Sequence, residues 1–210
     1  MEWKAVLFLG AYHGINPGMG WLFAVALGMQ QGSARGVWRA LPPIALGHMA
    51  AVGAVLLVAG LAQTMVPIGT MKLVVAFLLI AFGLFRMWRH RHPRFGGMRV
   101  GFRDLTIWSF LMASAHGAGL MVLPFVMTMS SPVLAAGGIH VHHAAITPSL
   151  PRTAALALAL HTLAYLCVLA FAAWIVYWKL GLALLRTAWF NLDLIWAGAL
   201  VATGLLIVCF

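Results

Sequence analysis

His13-Gly14-Ile15-Asn16-Pro17-Gly18-Met19-Gly20 interrupts an otherwise apolar run near the N-terminus. Pro17 removes a backbone donor and clashes with the preceding turn, so a helix cannot run through it undisturbed. Gly10, Gly14 and Gly18 recur every four residues, the spacing of close helix–helix contacts. The apolar run is long enough to cross a bilayer, and irregular backbone at that depth survives only where protein or a water-filled cavity receives its polar groups. The stretch therefore predicts a broken or kinked membrane span with His13, Asn16 and freed carbonyls turned inward.

Composition places the whole chain in the same setting. It has 210 residues, 64% of them hydrophobic and 8% charged. Soluble domains average roughly 45–50% apolar and about 25% charged residues, so a soluble globule is excluded. Two cysteines are too few for a disulfide scaffold, and both read as small apolar fillers. At roughly 20 residues per span, the chain has room for about six spans and no separate soluble domain. The expected fold is all-α: a polytopic membrane protein, one transmembrane domain over residues 1–210. The spans fall at 5–29, 41–62, 71–88, 105–130, 152–178 and 191–210.

Charge fixes the expected orientation. The formal net charge is +10, and Lys and Arg gather in cytoplasmic loops. With the N-terminus outside, ten of the thirteen basic residues are cytoplasmic, and only Lys4, Lys72 and Arg152 are not. Those three lie at span edges, where long side chains can snorkel. The loop at 86–104 carries Arg86, Arg89, Arg91, Arg94, Arg99 and Arg103. It reads as a topology signal that also meets anionic lipid, and it is too short and too confined for a nucleic-acid site. The expected location is the inner membrane of a bacterium, with N- and C-termini outside.

The two halves of the chain echo one another. Ala11-Tyr12-His13-Gly14 returns as Ser114-Ala115-His116-Gly117, Ala45-Leu46-Gly47-His48 as Leu158-Ala159-Leu160-His161, and Ala81-Phe82-Gly83-Leu84 as Ala202-Thr203-Gly204-Leu205. A duplicated set of three spans, about 5–88 and 105–210, places the second copy upside down in the bilayer. Inverted repeats of this kind are typical of secondary transporters, whose substrate sites lie at the repeat interface near mid-depth.

Histidine supplies the candidate chemistry. Ionisable side chains inside a bilayer are costly and mark function, and His13, His48, His116 and His161 fall in four different spans at related positions. Neutral imidazole is the commonest transition-metal ligand. Glu2, Asp104 and Asp193 all sit near span boundaries, so the hard oxygens that Mg and Ca require are lacking at depth. Imidazoles with Asn16 and the thioether of Met19 suit a borderline-soft cation. His140, His142 and His143, in the longest outer loop, form a secondary set able to capture a metal in transit. The ion is substrate, and no tightly bound cofactor is expected. Four intramembrane histidines also admit a b-type haem protein. A third reading is a non-catalytic subunit or assembly factor of a larger membrane metalloenzyme complex, and the glycine spacing admits a homo-oligomer. No catalytic motif appears, so an enzyme is not expected.

His13, Pro17, Gly18 and Gly20 resemble the His-Ala-x-x-Pro-Gly-His-Gly motif of the nickel/cobalt efflux (NicO-type) transporters of the LysE-like superfamily. Gly32-Ser33-Ala34-Arg35-Gly36, and His48 ahead of Ala50-Ala51-Val52-Gly53, extend the likeness over about the first 60 residues. Hydrogenase/urease accessory membrane proteins are neighbours of the same pattern. The resemblance implies a transporter of divalent metal such as nickel or cobalt. Met19 stands where those proteins have a second His, and Asn16 replaces a frequent acidic residue. Ala115-His116-Gly117-Ala118-Gly119 stands where a Pro-Cys-Pro-like motif is expected. Metal identity is therefore not carried over.

Overall fold

The computed structural model describes residues 2–63, 65–88, 101–130, 149–180 and 192–209. Every regular element among them is helical: α1 Glu2–Ile15, a 3-10 turn Pro17–Met19, α2 Trp21–Gln30, α3 Ala34–Ala62, α4 Ile68–Trp88, α5 Phe102–Ala115, α6 Ala118–Ser130, α7 Ser149–Ile175 with a π-helical extension Val176–Leu180, and α8 Leu192–Cys209. Most of the Arg-rich loop and all of the loop bearing His140, His142 and His143 lie outside the described residues.

Among the described residues, two helices are long and apolar enough to cross a membrane, Ala34–Ala62 and Arg152–Lys179. The bent pair Phe102–Ala115 and Ala118–Met129 makes a third if it counts as one span. Large apolar side chains cover the outside, among them Phe8, Leu57, Phe77, Leu163 and Phe171. That surface suits lipid far better than water. Cys167 and Cys209 are both exposed on it, so they fill no gap in the core.

The break at Pro17 is built as its residues require. Asn16 is extended at φ −66°, ψ 121°, and its Oδ1 accepts from the Gly18 amide at 2.8 Å, capping the 3-10 turn. Gly20 follows at φ +130°, where a Cβ would be strained. The Trp21 indole donates to the Ile15 carbonyl at 2.9 Å and so occupies an acceptor that the interrupted ladder leaves over. The fourth apolar stretch, continuous in the sequence reading, is broken too. α5 and α6 meet at 63°, and Gly117 between them sits at φ +67°. Pro124, further along, lies inside α6 without ending it.

The main pairings are α1 with α7, α3 with α5, and α4 with α8. Small residues bring each pair close. A Cβ at Gly10 would fall on the His161 carbonyl, one at Gly14 on the Tyr165 carbonyl, and one at Gly47 on the Thr106 carbonyl. On α4 and α8, Gly83 faces Ala197 and Val201 while Gly204 faces Ala76 and Ile80, so the two helices run antiparallel.

Buried apolar residues form two clusters. One holds Val6, Leu9, Val52, Leu79, Met121, Ala157 and Leu200. The other holds Met19, Trp21, Ile44, Leu105, Tyr165 and Leu169. Three segments pass from one cluster to the other with a histidine at the crossing: His13 between Leu9 and Met19, His48 between Ile44 and Ala51, His161 between Ala157 and Tyr165. α5 crosses as well, from Leu105 to Ala113, with Ser109 buried between them.

Candidate functional site

The three crossing histidines are all fully buried. Their ring centroids stand 5.7 Å apart for His13 and His48, 5.2 Å for His13 and His161, and 5.3 Å for His48 and His161. Three helices distant in sequence therefore deliver three imidazoles to one triangle inside an apolar bundle. Around a metal with bonds to nitrogen of about 2.0–2.1 Å, imidazole centroids lie roughly 3.2 Å out and roughly 5.2–5.5 Å from each other. Two sides of the triangle fall in that range and the third, between His13 and His48 at 5.7 Å, lies just beyond it. As the side chains stand, however, no group of three or more His, Cys, Asp or Glu among the described residues is arranged to hold a metal ion. The spacing fits a ligand set, and the ring orientations do not yet complete one.

Backbone carbonyls orient two of the three rings. Nδ1 of His13 donates to the Leu9 carbonyl at 2.7 Å. Nδ1 of His161 donates across the helix contact to the Val6 carbonyl at 3.3 Å. A carbonyl only accepts, so Nδ1 carries the proton in each ring and the lone pair lies on Nε2. This is the outer support that ligating histidines ordinarily have. His48 differs: neither ring nitrogen has a hydrogen-bond partner, and the ring instead stacks on Tyr165 at 3.9 Å with planes 12° apart. An unsatisfied buried polar atom costs about 1–3 kcal/mol. Nε2 of His161, both nitrogens of His48 and Nδ2 of Asn16 are in that condition, and native proteins tolerate such groups mainly where they serve a purpose.

The other sequence candidates take different places. His116 is buried, and its Nδ1 donates to the Met112 carbonyl at 2.7 Å, the same bond to the fourth residue before it that His13 makes. It stands at the α5–α6 break with its Cε1 toward Gly18, beside the triangle. Asn16 accepts from the Gly18 amide through its oxygen and so holds the break. Met19 is buried in the second apolar cluster, and its carbonyl, accepting from the Tyr165 hydroxyl at 2.6 Å, is the group joined to the site.

Tyr165 is absent from the sequence candidates, although a signal was there. It lies one turn beyond His161 and therefore on the same helix face, a polar tip within an apolar run. Ser109, which donates to the Ile44 carbonyl at 2.6 Å, was likewise passed over. Compared with protein families, curated proteins and solved structures, the chain matches none.

Proposed function

We propose that the protein is a membrane transporter for a divalent transition-metal ion, working by alternating access around the His13–His48–His161 triangle. The observation that carries this reading is the convergence of three buried imidazoles, from three helices, at the spacing of a three-histidine metal site. An ion entering there trades hydration water for nitrogen ligands, an exchange suited to nickel, cobalt or zinc and unsuited to magnesium or calcium.

The architecture in this reading is six spans: α1 with α2, α3, α4, α5 with α6, α7, and α8. They form two inverted halves. Support comes from the breaks that follow His13 and His116, from the identical bonds of these two rings to their preceding carbonyls, and from the antiparallel α4–α8 pair. The inner-membrane setting and the external N-terminus rest on the distribution of basic residues. The likeness of His13–Gly20 to nickel/cobalt efflux proteins points to the same substrate class. Haem ligation fits less well, because two axial imidazoles stand on opposite faces of a macrocycle, whereas these rings press against each other and against Tyr165.

The test is ion flux in vesicles holding the purified full-length chain. Co2+ or Ni2+ should cross at a rate well above protein-free vesicles, and Mg2+ should not. Equal flux of all three ions, or none of Co2+, Ni2+ and Zn2+, would refute the reading.

A further inference from the structure

The three imidazoles of the triangle are not held alike. His13 and His161 are both tied to carbonyls of α1, those of Leu9 and Val6. Their helices, α1 and α7, touch backbone to backbone at Gly10 and Gly14. Two of the three candidate ligands therefore ride on one tightly joined pair. His48 comes from α3, whose own close contact is with α5 at Gly47. Lacking a hydrogen bond at either nitrogen, the His48 ring is held by ring packing, most closely by Tyr165.

Tyr165 does two things with one side chain. Its face covers His48, and its hydroxyl is fastened to the Met19 carbonyl in the turn between α1 and α2. The hydroxyl also meets the Ser109 side chain of α5, so the ring can leave His48 only if both contacts break or the Met19 segment moves with it and the Ser109 contact is given up. One turn beyond His48 itself the residue is Val52, which offers neither a stacking face nor a hydroxyl, so the fastening is one-sided.

We propose that Tyr165 is a positioning residue that pins His48 in an orientation unable to ligate, and that withdrawal of the Met19 carbonyl releases the ring to complete the ligand set. This rests on the metal-transport reading above. A change of shape at the broken span thereby becomes a change in the number of nitrogens offered to the ion. The direction of the effect is specific: weakening the latch favours metal binding, whereas damage to an ordinary structural residue would weaken it.

The experiment is titration of the detergent-purified full chain with Co2+, followed by its visible absorption. Tyr165→Phe keeps the stack and removes the hydroxyl. Loss of one hydrogen bond corresponds to roughly two- to tenfold, so Co2+ should bind this variant roughly two- to tenfold more tightly than wild type. A second measurement needs no variant. In the wild-type protein, NMR contacts between the Tyr165 and His48 rings should be present without metal and lost on saturation with Zn2+. Unchanged or weaker Co2+ binding by Tyr165→Phe, or ring contacts that persist with Zn2+ bound, would overturn the latch while leaving transport standing. Failure of the wild-type chain to bind either ion would overturn both.

Discussion

Gly83 and Gly204 occupy reciprocal positions in the contact between α4 and α8. A Cβ on Gly83 would meet the Ala197 carbonyl at 2.9 Å and the Val201 amide nitrogen at 3.1 Å. One on Gly204 would meet the Ala76 carbonyl at 2.9 Å and the Ile80 amide nitrogen at 3.2 Å. Each glycine thus faces the residues seven and three positions before the other, as a local two-fold axis requires. Because the helices are antiparallel, that axis lies across them, which is the relation two inverted halves would produce.

This seam predicts a matched pair of stability losses. Forcing a methyl group against a neighbouring backbone costs about 1–3 kcal/mol, so Gly83→Ala and Gly204→Ala should lower the melting temperature in detergent by similar amounts. Gly198 on α8 has open space around it, and Gly198→Ala should be neutral or mildly stabilising. Melting of Gly83→Ala at or above the Gly198→Ala value would contradict the close seam. Co2+ binding should be unchanged in all three, since α4 and α8 meet the other helices mainly through α6.

Histidine replacements should sort by position. His13→Ala, His48→Ala and His161→Ala each remove one corner of the triangle, and even indirect damage around a metal costs about 10–100-fold. Each should lower Co2+ affinity by about 100-fold or more while the chain still inserts. His116→Ala, beside the triangle, should cost about tenfold. Replacing His140, His142 and His143 together should alter only the concentration dependence of vesicle uptake. Wild-type affinity in the His13 and His48 variants would return these rings to a structural role.

The break in the first span should matter more to transport than to folding. Asn16→Ala removes the cap on the Gly18 amide, and caps are worth about 1 kcal/mol. Pro17→Ala restores the missing donor and lets the helix close over the break. Both variants should accumulate and melt near wild type, with vesicle flux reduced at least tenfold. Flux equal to wild type in Pro17→Ala would mean that the break only packs.

Orientation is open to chemical labelling. With Cys167 and Cys209 replaced by Ala, a cysteine introduced at Ser149 should react with an impermeant reagent in intact cells, and one introduced at Gly97 should not. The reverse pattern would invert the assignment of every loop.

How much of this was legible in the sequence depended on the kind of signal. Pro17 among glycines announces a break through covalent chemistry, and the break is where the residues put it. The break at His116-Gly117 has only Gly117 to mark it, and glycine is common in apolar helices, so its positive φ left no trace. Burial of His13, His48, His116 and His161 followed from the cost of polar groups in lipid. Which three would meet did not follow, because lateral packing depends on small residues such as Gly10 and Gly47 whose partners the chain does not name. Asn16 and Met19 were placed at the site for their side-chain donors. The backbone gives both a further part that the sequence does not show, the first as a cap on the Gly18 amide and the second through a carbonyl that Tyr165 holds.

Helix length also bears on how the chain is assembled during synthesis. The hydrocarbon layer is about 30 Å thick, and at 1.5 Å per residue a helix of 14 residues reaches roughly 21 Å. α1 and α5 have that length, whereas α3 has 29 residues and α7 has 27. In a bilayer, α3 and α7 are long enough to enter as single rods, even though Pro42 and Pro43 each leave one α3 carbonyl without its intrahelical donor, but the broken segments are not. The carbonyl of Met19 finds its donor on Tyr165, which the ribosome adds only after the six helices α1 to α6. Until α7 arrives, the first segment to be made carries an unpaired acceptor at membrane depth. A nascent chain halted before α7 should therefore be a poor resident of the membrane and a ready substrate for membrane proteases, although its first six helices are already complete.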